Sequence, residues 1–177
     1  IERLITDYSQ MLKDEVALSK EKMKKINLKL IAKSVVDDFN NIYEAKRGIQ
    51  IILKDSNNQE EYFINGIENR IEQIIANLLD NSISFSDDNK NILVEISKNE
   101  KEETILKVID EGKGFRELNT KKIFNRFYSN RPDTFGEHSG LGLNIVKNLV
   151  DLHGATINAS NNTLQKGANV EIIFPKC

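Results

Sequence analysis

The sequence predicts a two-layer α/β sandwich, a mixed β-sheet with three helices on it, preceded by one further helix. Two observations predict it. Stretches with apolar residues at steps of three and four alternate with short runs rich in Ile, Val, Phe and Thr that are bounded by turn residues. The resulting order is helix, helix, strand pair, helix, strand pair, irregular segment, helix, strand pair, and helices interleaved with strands pack as a layer on a sheet. A chain of 177 residues, 39% hydrophobic and 29% charged, suffices for one domain with a real core and an appendage. The formal net charge of −2 gives no basic footprint, so no nucleic-acid partner is expected. The single cysteine, Cys177, excludes an internal disulfide framework and a cysteine-based metal site, and fits a reducing compartment. No apolar run approaches membrane-spanning length and no signal-peptide pattern opens the chain. The first residues fall inside a helical pattern without an initiator Met, so the chain is expected to be part of something longer.

Residues 1 to about 24 read as an amphipathic helix with Ile1, Leu4, Ile5, Tyr8, Met11 and Leu12 on its apolar stripe. The basic cluster from Lys20 to Lys25 suits a solvated helix C-terminus. A second helix is expected over 28–45, with Leu28, Ile31, Val35, Phe39 and Ile42 toward the core and Gly48 as its cap. Two β-like runs follow, 49–54 and 60–65, with turn chemistry in Asp55-Ser56-Asn57-Asn58 between them. A third helix covers 67–85. The runs 92–98 and 104–109 read as a hairpin. Residues 111–139 have no steady period, as expected of a functional lid or a disordered stretch. A last helix covers 140–152, closed by His153-Gly154, and two strands, 155–159 and 168–174, finish the chain.

The helix over 67–85 has two faces. Ile74, Ile75, Leu78, Leu79 and Ile83 form a core stripe, while Gln73, Asn77 and Asn81, each four apart, align their amides on another. Asn is a mediocre helix former, so two of them one turn apart need a reason. One reason is a solvated polar face. The other is a ligand, because a neutral amide oxygen suits Mg²⁺, which keeps several waters and bridges to phosphates. Three downstream pieces bear on this choice. Asp110-Glu111-Gly112-Lys113-Gly114 puts a carboxylate at a strand end beside backbone that a ligand can approach closely. Ser139-Gly140-Leu141-Gly142-Leu143 opens a helix, whose free N–H groups suit phosphate. Phe124-Asn125-Arg126-Phe127-Tyr128 supplies aromatics for latching a lid and Arg126 as a phosphate clamp. Each piece alone is a plausible turn or packing feature, and no P-loop motif is present.

In this order the pieces resemble the ATP-binding domain of sensor histidine kinases, of the GHKL superfamily shared with type II topoisomerases, Hsp90 and mismatch-repair ATPases. Asn77 and Asn81 resemble the N box, with Asn81 in the Mg²⁺-ligand position and Asn77 beside it. Asp110, Gly112 and Gly114 resemble the first glycine box, whose Asp reads the adenine amino group. Phe124 and Phe127 resemble the F box; Ser139, Gly140, Leu141, Gly142 and Leu143 the second glycine box. The stretches Asp80 to Ser86, Arg126 to Pro132 and Arg3 to Asp7 are similar to ChvG/ExoS-type sensor kinases of alphaproteobacteria.

The resemblance implies ATP and Mg²⁺ as cofactors and transfer of the γ-phosphoryl group to a histidine, then to an aspartate of an OmpR-like response regulator. Asn81 and Arg126 would serve catalysis. Residues 1–24 would be the second helix of a dimerisation and phosphoacceptor hairpin, and 25–177 the catalytic domain. The full-length protein would be a homodimer anchored in a bacterial inner membrane, with this part cytoplasmic. The only histidines, His138 and His153, sit in no phosphoacceptor motif, so the chain is expected to bind Mg·ATP without labelling itself. One alternative is an ATP hydrolase of the same superfamily; those enzymes place a general-base Glu where this chain has Asn77, an amide that takes no proton from water. The other is a degenerate, nucleotide-free interaction module. Two departures stand out: Ser84 occupies a position where many members carry Lys or Arg, and Phe115-Arg116 follow the first glycine box where Ile and often Pro are usual.

Overall fold

The computed structural model describes residues 21–116, 119–125, 142–162, 164 and 166–177. The expected first helix lies outside them up to residue 20, and residues 21–23 are not helical. The described chain forms a two-stranded ribbon and a five-stranded mixed sheet with three α-helices. In chain order these are β1 (Lys24–Asn27), α1 (Leu28–Arg47), β2 (Gln50–Asp55), β3 (Phe63–Gly66), α2 (Glu68–Phe85), β4 (Asn91–Lys98), β5 (Thr104–Asp110), a 3₁₀ turn (Thr120–Phe124), α3 (Gly142–Leu152), β6 (Thr156–Asn161) and β7 (Ala168–Phe174).

The sheet order is β2-β4-β5-β7-β6, parallel between β2 and β4 and antiparallel elsewhere. The hairpin β4–β5 and the final pair β6–β7 form as expected. The runs after α1 do not pair with each other. β2 runs parallel to β4, and β3 pairs instead with β1, which replaces the expected basic helix end. Four residues, two of them Lys, are too short to show a period; Lys25 finds its place over the Phe63 ring, 4.4 Å from the centroid.

The inner sheet face is apolar: Ile92, Val94, Ile96, Leu106, Val108, Val170, Ile172 and Phe174 are all buried against the helices. On the open face one cross-strand row reads Lys54, Glu95, Lys107, Glu171. Alternating signs in register suit a wet face, with ion pairs of 3.9 Å (Lys54–Glu95) and 3.5 Å (Lys107–Glu171).

Helix α1 starts at Asn27, whose side chain accepts the Lys29 N–H (3.1 Å) and the Tyr62 N–H (3.2 Å). It ends at Gly48, in the left-handed region at φ 62°, as the sequence predicts. Its fully buried positions run from Leu28 to Val36; Phe39 is half-buried and Ile42, expected in the core, is exposed. Near this end Asn40 faces the sheet, its amide accepting the Ile51 N–H (2.8 Å) and donating to the Ile51 carbonyl (2.9 Å) on β2.

The loop after β2 is held by one carboxylate. Asp55 accepts from Lys29 Nζ (2.9 Å) and from the hydroxyl of the buried Tyr62, while Lys29 also donates to the Gln59 carbonyl (2.7 Å). Burial alone would push the Asp55 carboxyl up, but the hydrogen bonds from Lys29 and Tyr62 outweigh it and hold it at about 2, below the ordinary 3.8. The same burial and the adjacent carboxylate push the Tyr62 phenol up to about 12. A carboxyl depressed in the folded state contributes stability that is complete above 3.8 and is lost as pH falls toward about 2. Asp55→Leu, which strands the Tyr62 hydroxyl, is expected to cost about 1–3 kcal/mol in denaturant unfolding at neutral pH. The variant should also lose less stability than the parent between pH 4 and pH 2, and an unchanged acid limb would exclude Asp55 as its source.

Candidate functional site

Helix α2 carries the centre of the site. It is buried along Ile71, Ile74, Ile75, Leu78 and Leu79, and from Asn81 to Ser84 it is buried at every position. Asn77 is half-buried and Asn81 is 7% exposed, so the amide row is not a solvated face at its C-terminal end. Such burial leaves terminal carbonyls to be satisfied, and α2 has no basic residue in its last turn. The Ser84 hydroxyl donates to the Asn81 carbonyl (2.8 Å) and the Ser86 hydroxyl to that of Ser82 (2.8 Å). Arg47, from the end of α1, reaches the carbonyls of Ile83 (2.9 Å) and Ser86 (2.6 Å). Ser84 therefore faces its own helix at 4% exposure and offers no phosphate contact.

At its other end α2 is tied to its surroundings twice. The Ile67 N–H donates to His153 Nε2 (3.1 Å). That bond leaves the ring proton on Nδ1, 2.6 Å from the Leu149 carbonyl of α3. Burial lowers the His153 pKa, although the Leu149 contact opposes the shift, so the ring stays neutral and joins the ends of α2 and α3. In the first turn of α2, Arg70 donates to Glu21 (3.2 Å) and to Gln73 Oε1 (3.3 Å), linking the incoming chain to the start of the amide row.

Asp110 ends β5 at 3% exposure. Its Oδ1 accepts the N–H of Gly112 (2.9 Å) and of Ala168 (3.1 Å), and the Ser82 hydroxyl supplies a further hydrogen bond. Burial raises the carboxyl pKa and these three donors pull it back. Because Ser82 follows Asn81 directly, this bond ties the end of β5 to the turn of α2 that carries Asn81. Gly112 is required here by packing: a Cβ would sit 2.5 Å from the Phe85 carbonyl. Gly114 lies at φ +77° with the Asn161 side chain in the way of a Cβ, whereas a Cβ on Gly142 would meet nothing within 4 Å among the described residues. Packing among the described residues thus explains the first pair of glycines but not Gly142, at the start of α3.

Phe124 is buried at the end of the 3₁₀ turn, and its carbonyl accepts from Asn144 Nδ2 (3.0 Å), fastening this segment to the first turn of α3. Leu143 and Phe115 pack half-buried against the core. The structure thus joins Asn81 to Asp110 through Ser82, and Phe124 to the α3 start; Arg126, Phe127, Ser139, Gly140, Leu141 and His138 lie outside the described residues. Sequence reasoning did not single out Ser82, Arg47, Asn161 or the contact of Ala168. Their bonds span 28 or more residues and leave no local pattern.

Among the described residues no three His, Cys, Asp or Glu side chains gather to hold a metal. The buried neutral amide of Asn81 suits a cation that takes few protein ligands and completes its shell with water and phosphate, the habit of Mg²⁺.

Residues 66–177 match the family described as histidine kinase-, DNA gyrase B-, and HSP90-like ATPases. The chain is similar to the sensor protein ChvG of Agrobacterium fabrum, 32% identical over 167 residues that cover 91% of this chain and 28% of ChvG. It also resembles the histidine kinase ShkA, solved in complex with AMPPNP (TM-score 0.77, 22% identity, 98% of this chain and 35% of that one). The histidine kinase ThkA, solved in complex with the response regulator TrrA, is similar too (TM-score 0.75, 22% identity, 98% and 48%). At these identities the two structures speak for the fold alone.

Proposed function

Because the chain belongs to the family of histidine kinase-, DNA gyrase B-, and HSP90-like ATPases, we propose that it is the ATP-binding catalytic part of a two-component sensor histidine kinase. The observation that carries this reading is the fixed, buried carboxylate of Asp110, hydrogen-bonded to the residue after Asn81. A carboxylate held by three donors is a directional acceptor suited to an exocyclic amine, and the adjacent helix offers Asn81 to the metal end of the same nucleotide. Mg²⁺ would be held by Asn81, with Asn77 nearby, and would neutralise the phosphate charge that builds up in transfer. The backbone of Ser139 to Leu143 would cradle the phosphates, Arg126 would clamp them, and Phe124 with Phe127 would seat the lid. Positioning and charge neutralisation supply most of the catalysis in such a transfer.

On this reading the phosphoryl group goes to a histidine on a helical hairpin, to which the residues before Glu21 would contribute one helix, in a homodimer. The next acceptor would be a response regulator, as in the complex in which ThkA was solved, and the resemblance to ChvG-type kinases would make it OmpR-like. The chain spans 28% of the length of ChvG, and the intact protein would be anchored in the inner membrane with this part in the cytoplasm. Among the described residues no helix is long and apolar enough to cross a membrane.

Calorimetric titration with ATP and Mg²⁺ is expected to give saturable binding; no binding heat would favour the degenerate module. Incubation with γ-labelled ATP is expected to leave no acid-labile label on the chain. Phosphate release at an appreciable rate would favour the hydrolase, against which Asn77 argues as an amide without base function.

A further inference from the structure

The proposed purine site depends on a loop, Gly112 to Phe115, that lies outside the sheet and has two glycines. A loop of this kind samples many conformations unless something holds it. The holder is Asn161, the last residue of β6. Its Oδ1 accepts the Phe115 N–H at 2.6 Å and its Nδ2 donates to the Phe115 carbonyl at 3.0 Å, so both polar groups of one residue are gripped by one planar amide.

The same turn holds the carboxylate. The Asn162 N–H closes the turn onto the Gly167 carbonyl (2.9 Å), and the next residue, Ala168, gives its N–H to Asp110 (3.1 Å). Gly167 lies at φ +144° against the Asp110 carbonyl, where a side chain would collide. Asp110 and the loop after it are therefore both fastened to the β6–β7 turn, and they hold a fixed relation to each other through it.

We infer that Asn161 is a positioning residue that sets base specificity, by fixing the Gly112–Phe115 loop relative to Asp110. The inference rests on the nucleotide reading above. A bland role, stability alone, fits less well. Asn161 is solvent-exposed, and its backbone is already paired with Ala168 in the sheet, so the strand does not need the side chain. Nor does the loop contribute a fully buried side chain to the core, Phe115 being half-buried.

The test compares the parent chain with Asn161→Ala in calorimetric titrations against Mg·ATP, Mg·GTP and Mg²⁺ with inorganic tripolyphosphate, which lacks a base. Loss of the two-handed grip is expected to weaken ATP binding about tenfold and to narrow the ATP-over-GTP preference by a similar factor. Tripolyphosphate affinity should stay unchanged and the unfolding midpoint should move little. Unchanged ATP affinity, or equal losses for ATP and tripolyphosphate, would overturn the inference while leaving the nucleotide reading intact. A parent chain that binds no Mg·ATP would overturn that reading itself, and this inference with it.

Discussion

Asp110→Asn is expected to weaken ATP binding by about ten- to a hundredfold while raising the temperature at which the ligand-free protein unfolds. Both halves come from one side chain. The carboxylate is buried and its pKa is raised by desolvation, against the pull of Gly112, Ala168 and Ser82. The sign follows directly: a group with a raised folded pKa contributes stability that is complete below its unfolded value and is lost as pH rises through the folded one. At neutral pH the ionised form is therefore a cost to the empty protein. An asparagine keeps an oxygen for the two backbone N–H groups and removes the charge. In the proposed complex the adenine amine would meet a second donor in place of a carboxylate. A charge-assisted hydrogen bond of about 1.5–3 kcal/mol is lost, which sets the size of the affinity change. Thermal melts without nucleotide and calorimetry with it read the two effects separately. A lower midpoint, or unchanged affinity, would contradict the assignment.

Asn81→Ala is expected to weaken Mg·ATP by about tenfold or more while leaving metal-free ADP nearly untouched. The split matters more than the size. Asn81 is buried at the end of α2, so its removal also disturbs packing, and a general loosening would weaken every nucleotide alike. The helix end itself should survive, because Ser84, Ser86 and Arg47 satisfy its carbonyls through groups the substitution leaves in place. Equal losses for the two ligands would remove Asn81 from the metal.

The helices and most strands were legible because burial imposes a period on sequence. Ile71, Ile74, Ile75, Leu78 and Leu79 announce α2, and the alternation of β7 announces a sheet with one dry face. β1 was missed because its burial is partial and its two lysines suited a helix end equally well. The partner of β2 was missed because pairing is a long-range choice: β2 finds β4 across a whole helix, and nothing in its six residues says so.

Of the site, the side chains that would meet a ligand could be proposed from order and spacing, with Asn81 and Asp110 the clearest. The side chains that aim them could not. Ser82 and Asn161 carry no local signal of their roles, which arise only where the fold brings β5, β6 and α2 together. The departure at Ser84 has a structural outcome, since its hydroxyl serves the helix end, but nothing in the structure explains why Phe115-Arg116 are preferred to Ile and Pro.

Asn40 carries a last consequence. By giving Ile51 both a donor and an acceptor, its amide occupies the slot on β2 that an added strand would use. Open strand margins recruit further chains, and the danger grows when two copies are tethered close together. The side chain fills that slot with two hydrogen bonds, so an added strand would first have to displace it before a sheet could grow across this border.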